Sequence, residues 1–228
     1  MFRHMQTSCV SALRATPRIA KVAILALLVS CAGDDHGDDH GDDHNHDNEI
    51  ISRVVLTFTP EDGGEALSFS FDDPDGDGGA SGVSEQIELT EGSTYALALT
   101  FENALVDPPE DITADIEAEA EAHIILLTGD LSGPASMPTT SLLSQAYADL
   151  ESDHGANAVG DDLPLGIRHT ITATTAGSGS LRVMLRHLPE VNGQPQKTAS
   201  LPADLAAGQD LPGTVDVDLT FDLVVSSP

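Results

Sequence analysis

The stretch Val215-Asp216-Val217-Asp218-Leu219-Thr220-Phe221-Asp222-Leu223-Val224-Val225 decides the fold. Val215, Val217, Leu219, Phe221, Leu223 and Val225 fall on one side, with Asp216, Asp218 and Asp222 on the other. A period of two over so many residues is the mark of a strand with one face in a core and one in water. The same rhythm recurs upstream. Leu181, Val183, Leu185 and His187 share a face, as do Ile167, His169 and Ile171. Earlier come Val54, Leu56 and Phe58, then Leu67, Phe69 and Phe71, then Val83, Ile87 and Leu89, then Tyr95, Leu97, Leu99 and Phe101.

Turn-forming clusters separate these runs: Glu61-Asp62-Gly63-Gly64, Glu91-Gly92-Ser93 and Ala176-Gly177-Ser178-Gly179. Ser144 to Asp149 reads as a further strand. Residues 112–122 read as a short helix or loop running into the apolar Ile124 to Leu127. The alternation of Ile116, Ala118, Ala120 and Ala122 with glutamates keeps a strand open there. No regular helices alternate with the strands, which disfavours a parallel α/β sheet. About eight strands, each burying one face, fit an all-β fold: a single antiparallel β-sandwich, immunoglobulin-like or jelly-roll-like, over residues 50–228.

Between the second and third runs lies Asp72-Asp73-Pro74-Asp75-Gly76-Asp77-Gly78-Gly79. Asp73, Asp75 and Asp77 alternate ahead of a glycine, the opening of many calcium loops. Calcium takes six to eight oxygens, and alternate residues of a tight loop turn their carboxylates inward. An EF-hand would also need a bidentate glutamate at its twelfth position; Ser84 stands there, and Glu85 comes one step late. The expectation is a hairpin clasped by Ca²⁺, set against a plain Asp/Gly turn. Asp149, Glu151, Asp153, Asp161 and Asp162 form a second acidic stretch with oxygens to offer.

The chain carries 9 basic against 38 acidic residues, a formal net charge of −29. Such a surface lacks the basic groups that displace counterions from nucleic acid, so no nucleic-acid partner is expected. Tryptophan is absent, which argues against an aromatic sugar-binding platform.

The first thirty residues do not belong to the fold. Arg3, Arg14, Arg18 and Lys21 precede an apolar run from Val22 to Val29 only eight residues long. Crossing a bilayer takes roughly twenty apolar residues, so this run reads as the core of a signal peptide. It ends Leu28-Val29-Ser30-Cys31, similar to the lipobox of bacterial lipoproteins, which implies cleavage before Cys31 and lipidation of its thiol. Two or more acyl chains give stable anchoring. Ala32 in place of aspartate implies, on the same analogy, the outer membrane, on its periplasmic side or at the cell surface. Cys9 leaves with residues 1–30, so no disulfide is expected.

Residues 31–49 form a tether. Gly-Asp-Asp-His occurs three times, ending at His36, His40 and His44, with His46 close behind. A tract without apolar residues cannot build a core and is expected to be disordered. Imidazole is the commonest protein ligand for Zn²⁺, Ni²⁺ and Cu²⁺, and a flexible chain can wrap several around one ion. A polar spacer is the plainer reading. In the folded part, His169 and His187 sit on apolar faces of neighbouring runs. They read as hydrogen-bonded core residues, with a paired metal or pH-sensitive site as the alternative. His123 and His154 read as surface or loop residues.

Taken together, Leu56-Thr57-Phe58-Thr59-Pro60, Phe71 through Gly79, Pro109 to Thr113, Pro164-Leu165-Gly166 and Leu185-Arg186-His187 resemble a group of small bacterial outer-membrane lipoproteins. These share a lipobox, an acidic or His-rich tether, a DxDGDGG hairpin and a terminal alternating strand. The likeness spans most of residues 31–228, with a longer segment here from Gly129 to Thr140, and it implies no activity. Some members carry a generic periplasmic-binding-fold label, but that fold needs repeated βα units, which this sequence lacks.

Catalytic signatures are missing too: there is no G-x-S-x-G elbow, no H-E-x-x-H and no cysteine nucleophile. The expectation is a non-enzymatic, membrane-anchored protein that binds divalent cations, accessory to an outer-membrane receptor or surface protein. The alternatives are a structural or adhesive module stiffened by Ca²⁺ and, behind it, a hydrolase.

Overall fold

A computed structural model of the chain describes residues 50–76, 82–155, 157, 158 and 160–228. Cys31, His36, His40, His44, His46 and Asp77 lie outside the described residues. The strands are β1 (Arg53–Pro60), β2 (Leu67–Asp72), β3 (Val83–Ser84), β4 (Ile87–Thr90), β5 (Thr94–Asn103), β6 (Glu110–Asp111), β7 (His123–Gly129), β8 (Leu131–Ser132), β9 (Leu143–Tyr147), β10 (Arg168–Ala173), β11 (Gly177–His187) and β12 (Thr214–Ser226). Two short helices, α1 (Thr113–Ala118) and α2 (Leu201–Ala206), interrupt them.

The fold is an all-β sandwich. One sheet runs β3-β2-β1-β5-β10-β9-β8 with β6 added beside β5; the other runs β4-β12-β11-β7. Neighbours are antiparallel, except that β4 lies parallel to β12 and β8 parallel to β9. The alternating faces meet between the sheets. Leu56 and Phe58 of β1 and Leu97 and Leu99 of β5 face Val183 and Leu185 of β11 and Phe221 and Leu223 of β12, all in one buried cluster. Each such side chain stabilises the fold by about 1.5–3 kcal/mol through burial. Phe58 sets its ring edge-on to Phe69 and Tyr95, with centroids 6.0 Å apart in both pairs.

The unbroken apolar run Ile124 to Leu127 has a structural cause. Ile125 and Leu127 point into the main core, whereas Ile124 and Leu126 point to the outer side of β7. There they meet Met184, Leu188 and the α2 residues Leu201 and Leu205, so both faces of this strand are covered. A strand buried on both sides has no reason to alternate.

Some expectations need correction. Val83, Ile87 and Leu89 are not one strand: β3 joins the first sheet and β4 the second, with Glu85 and Gln86 at the crossing. His169 and His187 are not on neighbouring strands, because β10 and β11 belong to opposite sheets. Residues 112–122 resolve into α1 followed by a 3-10 turn at Ala120–Ala122. Ile112, Ile116 and Ala120, spaced by four, turn one helical side into the core.

His169 is a buried core histidine, 1% exposed, with Gln145 donating to its Nδ1 at 2.8 Å and Tyr147 tilted over the ring. Its Nε2 makes no hydrogen bond of good geometry. Burial pushes its pKa down to about 4, against the pull of Asp149 and the Gly166 backbone. The unfolded chain, titrating near 6.5, therefore binds a proton that the folded chain refuses. Stability is full above about pH 6.5 and falls as pH drops towards 4, by up to roughly 3 kcal/mol. Denaturant titrations at pH 7 and pH 4.5 should show this loss, and His169→Gln should flatten it. An unchanged pH dependence in the variant would dismiss His169 as the cause.

Candidate metal centre

The register of β7 on β11 places His187 directly opposite His123. His123 continues the inward row of Ile125 and Leu127, and His187 continues that of Val183 and Leu185. Both histidines stand where these two rows leave the core. Cross-strand partners on one face approach closely, and the two imidazoles stack with centroids 4.7 Å apart and planes 14° from parallel. His123 is buried and His187 half-buried, so the expectation that His123 lies on the surface is corrected.

Glu119 completes the group. It is the residue that ends α1, its N–H bonded to the Asp115 carbonyl, and its carboxylate lies 4.0 Å from His187 Nε2. One ligand atom from each of Glu119, His123 and His187 lies within 4.8 Å of the other two. His123 Nδ1 lies 3.1 Å from the Glu119 carbonyl oxygen. A carbonyl can only accept, so Nδ1 carries the proton and Nε2 of the neutral ring carries the lone pair. A backbone bond of this kind fixes the tautomer of many metal-binding histidines. Imidazole lone pairs lie in the ring plane, and two near-parallel planes do not meet at one ion, so shared coordination requires one ring, the more exposed His187, to tilt out of the stack.

The frame around the group is tied down. Leu188 N–H donates to the Ala122 carbonyl at 2.6 Å, joining the end of β11 to the turn before β7. The Lys197 ammonium donates to the Ala120 carbonyl at 2.8 Å, between Glu119 and His123. Lys197 also pairs with Glu151 at 2.7 Å, and both side chains are almost wholly buried. Burial lowers the Lys197 pKa, while Glu151 opposes the shift. Gly213, with φ at +74°, passes so close to the backbone of His187 that a Cβ would sit 2.1 Å from the His187 carbonyl oxygen. Only glycine accepts both the conformation and the contact.

A cavity of about 310 Å³ opens beside the group, lined by Glu119 and His187 together with Ala118, Ala122, Leu188 and Pro189, with more acid at Glu121 and Glu190.

The other candidate residues go elsewhere. Asp73 is buried at the base of the β2–β3 hairpin, its N–H bonded to the Ser52 carbonyl at 2.7 Å, and Asp75 is exposed on the turn. The second acidic stretch divides: Asp149 and Glu151 are buried scaffold, whereas Asp153, Asp161 and Asp162 are exposed. Asp149 accepts from the N–H groups of Gly166, Ile167 and Arg168. His154 lies between Asp149, at 3.1 Å, and Glu117, at 3.2 Å, with its side chain only 4% exposed, so it is not a surface residue. Asp162 accepts two bonds from Ser152, which hold its carboxyl below the ordinary range.

Compared with protein-family models, curated proteins and solved structures, the chain matches none.

Sequence reading missed the pairing of Glu119 and His123 with His187. The usable signal was that two inward rows, Ile125/Leu127 and Val183/Leu185, each run outward to a histidine, provided the two strands are known to pair.

Proposed function

We propose that this chain is a non-catalytic, lipid-anchored protein of the outer membrane that binds divalent transition-metal ions. One ion is held in the folded domain by Glu119, His123 and His187, and others by the tether histidines His36, His40, His44 and His46. The supporting observation is the convergence of two imidazoles and a carboxylate within 4.8 Å, with the His123 tautomer fixed by the Glu119 carbonyl. A nitrogen-rich set with one carboxylate suits Zn²⁺, Ni²⁺ or Cu²⁺ rather than Ca²⁺. Ca²⁺ at Asp73, Asp75 and Asp77, with a structural or adhesive role, is the runner-up, and it draws on the hairpin that β2 and β3 form around that loop. Anchoring through Cys31 would place the domain beside an outer-membrane receptor or surface protein.

The test is calorimetric titration of the full chain with Zn²⁺ after the four tether histidines are changed to serine. Binding with a micromolar dissociation constant is expected to remain. His123→Ala or His187→Ala should then weaken it by at least about tenfold. Absence of residual binding would confine metal to the tether. Calcium-dependent thermal stabilisation that disappears in the Asp73/Asp75/Asp77→Asn variant would favour the runner-up.

A further inference from the structure

Three protein ligands leave a transition-metal ion at least one coordination position to fill. A site that keeps such a position open admits an exogenous ligand, whereas a closed site does not. Here the opening has a direction. Glu119 and His187 line the cavity of about 310 Å³, while His123 is buried and is not part of the lining. The cavity therefore lies on the open side of the ion. It is at the small end of the range for sites that hold small molecules.

Its lining says what would enter. Ala118, Ala122, Leu188 and Pro189 offer apolar wall, and every charged lining residue is acidic: Glu119, Glu121 and Glu190. The nearby basic residues are committed elsewhere. The Arg186 guanidinium donates to the carbonyls of Leu211, Pro212 and Gly213, and Lys197 is held by Glu151 and the Ala120 carbonyl. A dication against three carboxylates leaves the pocket net negative. An anionic chelator entering there would meet repulsion, and no Lys or Arg lines the cavity among the described residues. A neutral ring with a nitrogen lone pair would meet none, and its carbon edge would lie on the apolar wall.

We infer that the ion at Glu119, His123 and His187 takes a neutral nitrogen-donor small molecule of the imidazole class from this cavity, in preference to carboxylate chelators. The inference rests on the metal reading of that site. The domain would then capture ions already carrying a small nitrogen ligand, and charge would exclude the citrate- or oxalate-like complexes.

The experiment uses the full chain with the four tether histidines changed to serine, loaded with Cu²⁺. The position of the copper ligand-field absorption band is followed, normalised to bound copper, as imidazole or oxalate is added. Imidazole should shift the band at concentrations at least about tenfold lower than oxalate, without removing the ion. Ala118→Phe, which places a ring in the cavity from the exposed end of α1, should lose most of the imidazole response per bound ion. A response to oxalate equal to or stronger than that to imidazole would overturn the ligand class. An imidazole response unaltered in Ala118→Phe would overturn the cavity as its route. If no copper binds, the metal reading itself fails and the inference falls with it, an outcome distinct from the other two.

Discussion

Replacing Asp149 by alanine is expected to cost the fold about 3–5 kcal/mol. Its carboxylate accepts from Gly166 at 2.9 Å, Ile167 at 2.9 Å and Arg168 at 3.1 Å, and also meets His154 Nε2 at 3.1 Å. These amides lead the chain into β10, where sheet bonding to β5 and β9 begins. Gly166 makes the turn at φ +87°, and a Cβ there would lie 2.7 Å from the Ile125 carbonyl oxygen. Without the carboxylate, three N–H groups, two of them well buried, lose their acceptor. Asp149→Asn should lie between wild type and alanine, since its amide keeps one acceptor oxygen. Urea unfolding followed by far-ultraviolet circular dichroism measures both variants. A loss below about 1 kcal/mol for the alanine variant would mean that water replaces the carboxylate at little cost.

Lys197→Met should cost a similar amount, about 3–5 kcal/mol, for a different reason. The methionine fills the space but leaves Glu151 charged and 3% exposed, with Asn157 at 3.1 Å as its side-chain partner among the described residues. It also removes the donor to Ala120. The double variant Lys197→Met/Glu151→Leu should recover most of the loss, because removing both charges removes the unpaired one. Should the double variant prove no more stable than the single, the bond to Ala120 rather than the ion pair would be what matters. The same variants report on the candidate metal centre, since Ala120 lies between Glu119 and His123.

The fold was largely readable because it rests on local alternation. Val217, Phe221, Leu223 and Val225 are buried in β12, as their period implies, and Asp216, Asp218 and Asp222 are exposed. Val215 breaks the rule and is exposed, beyond the end of the core. What alternation cannot supply is partnership between strands. Nothing near His123 announces that it will face His187, because that contact depends on the register of two strands far apart in the chain. Of the acids of residues 149–162, Asp149 and Glu151 escaped sequence reading for a related reason. Composition makes them look like solvated ligands, whereas the fold turns Asp149 and Glu151 inward against backbone amides and a lysine. His154 does lie in a turn, as expected of a surface or loop residue, but its side chain is folded in between Asp149 and Glu117. The roles proposed for the tether and Cys31 rest on motif and spacing alone, since both lie outside the described residues.

The position of β12 has a consequence for how the protein comes into being. This strand lies between β4 and β11, yet the ribosome makes it after every other strand described here. Until residues 214–226 emerge, β4 has no neighbour in its sheet, and Val183 and Leu185 lack Phe221 and Leu223 beside them on the inner face of that sheet. Pairings this distant in sequence also form slowly. The second sheet therefore cannot be completed, nor the core closed over by it, before the last strand of the domain has arrived.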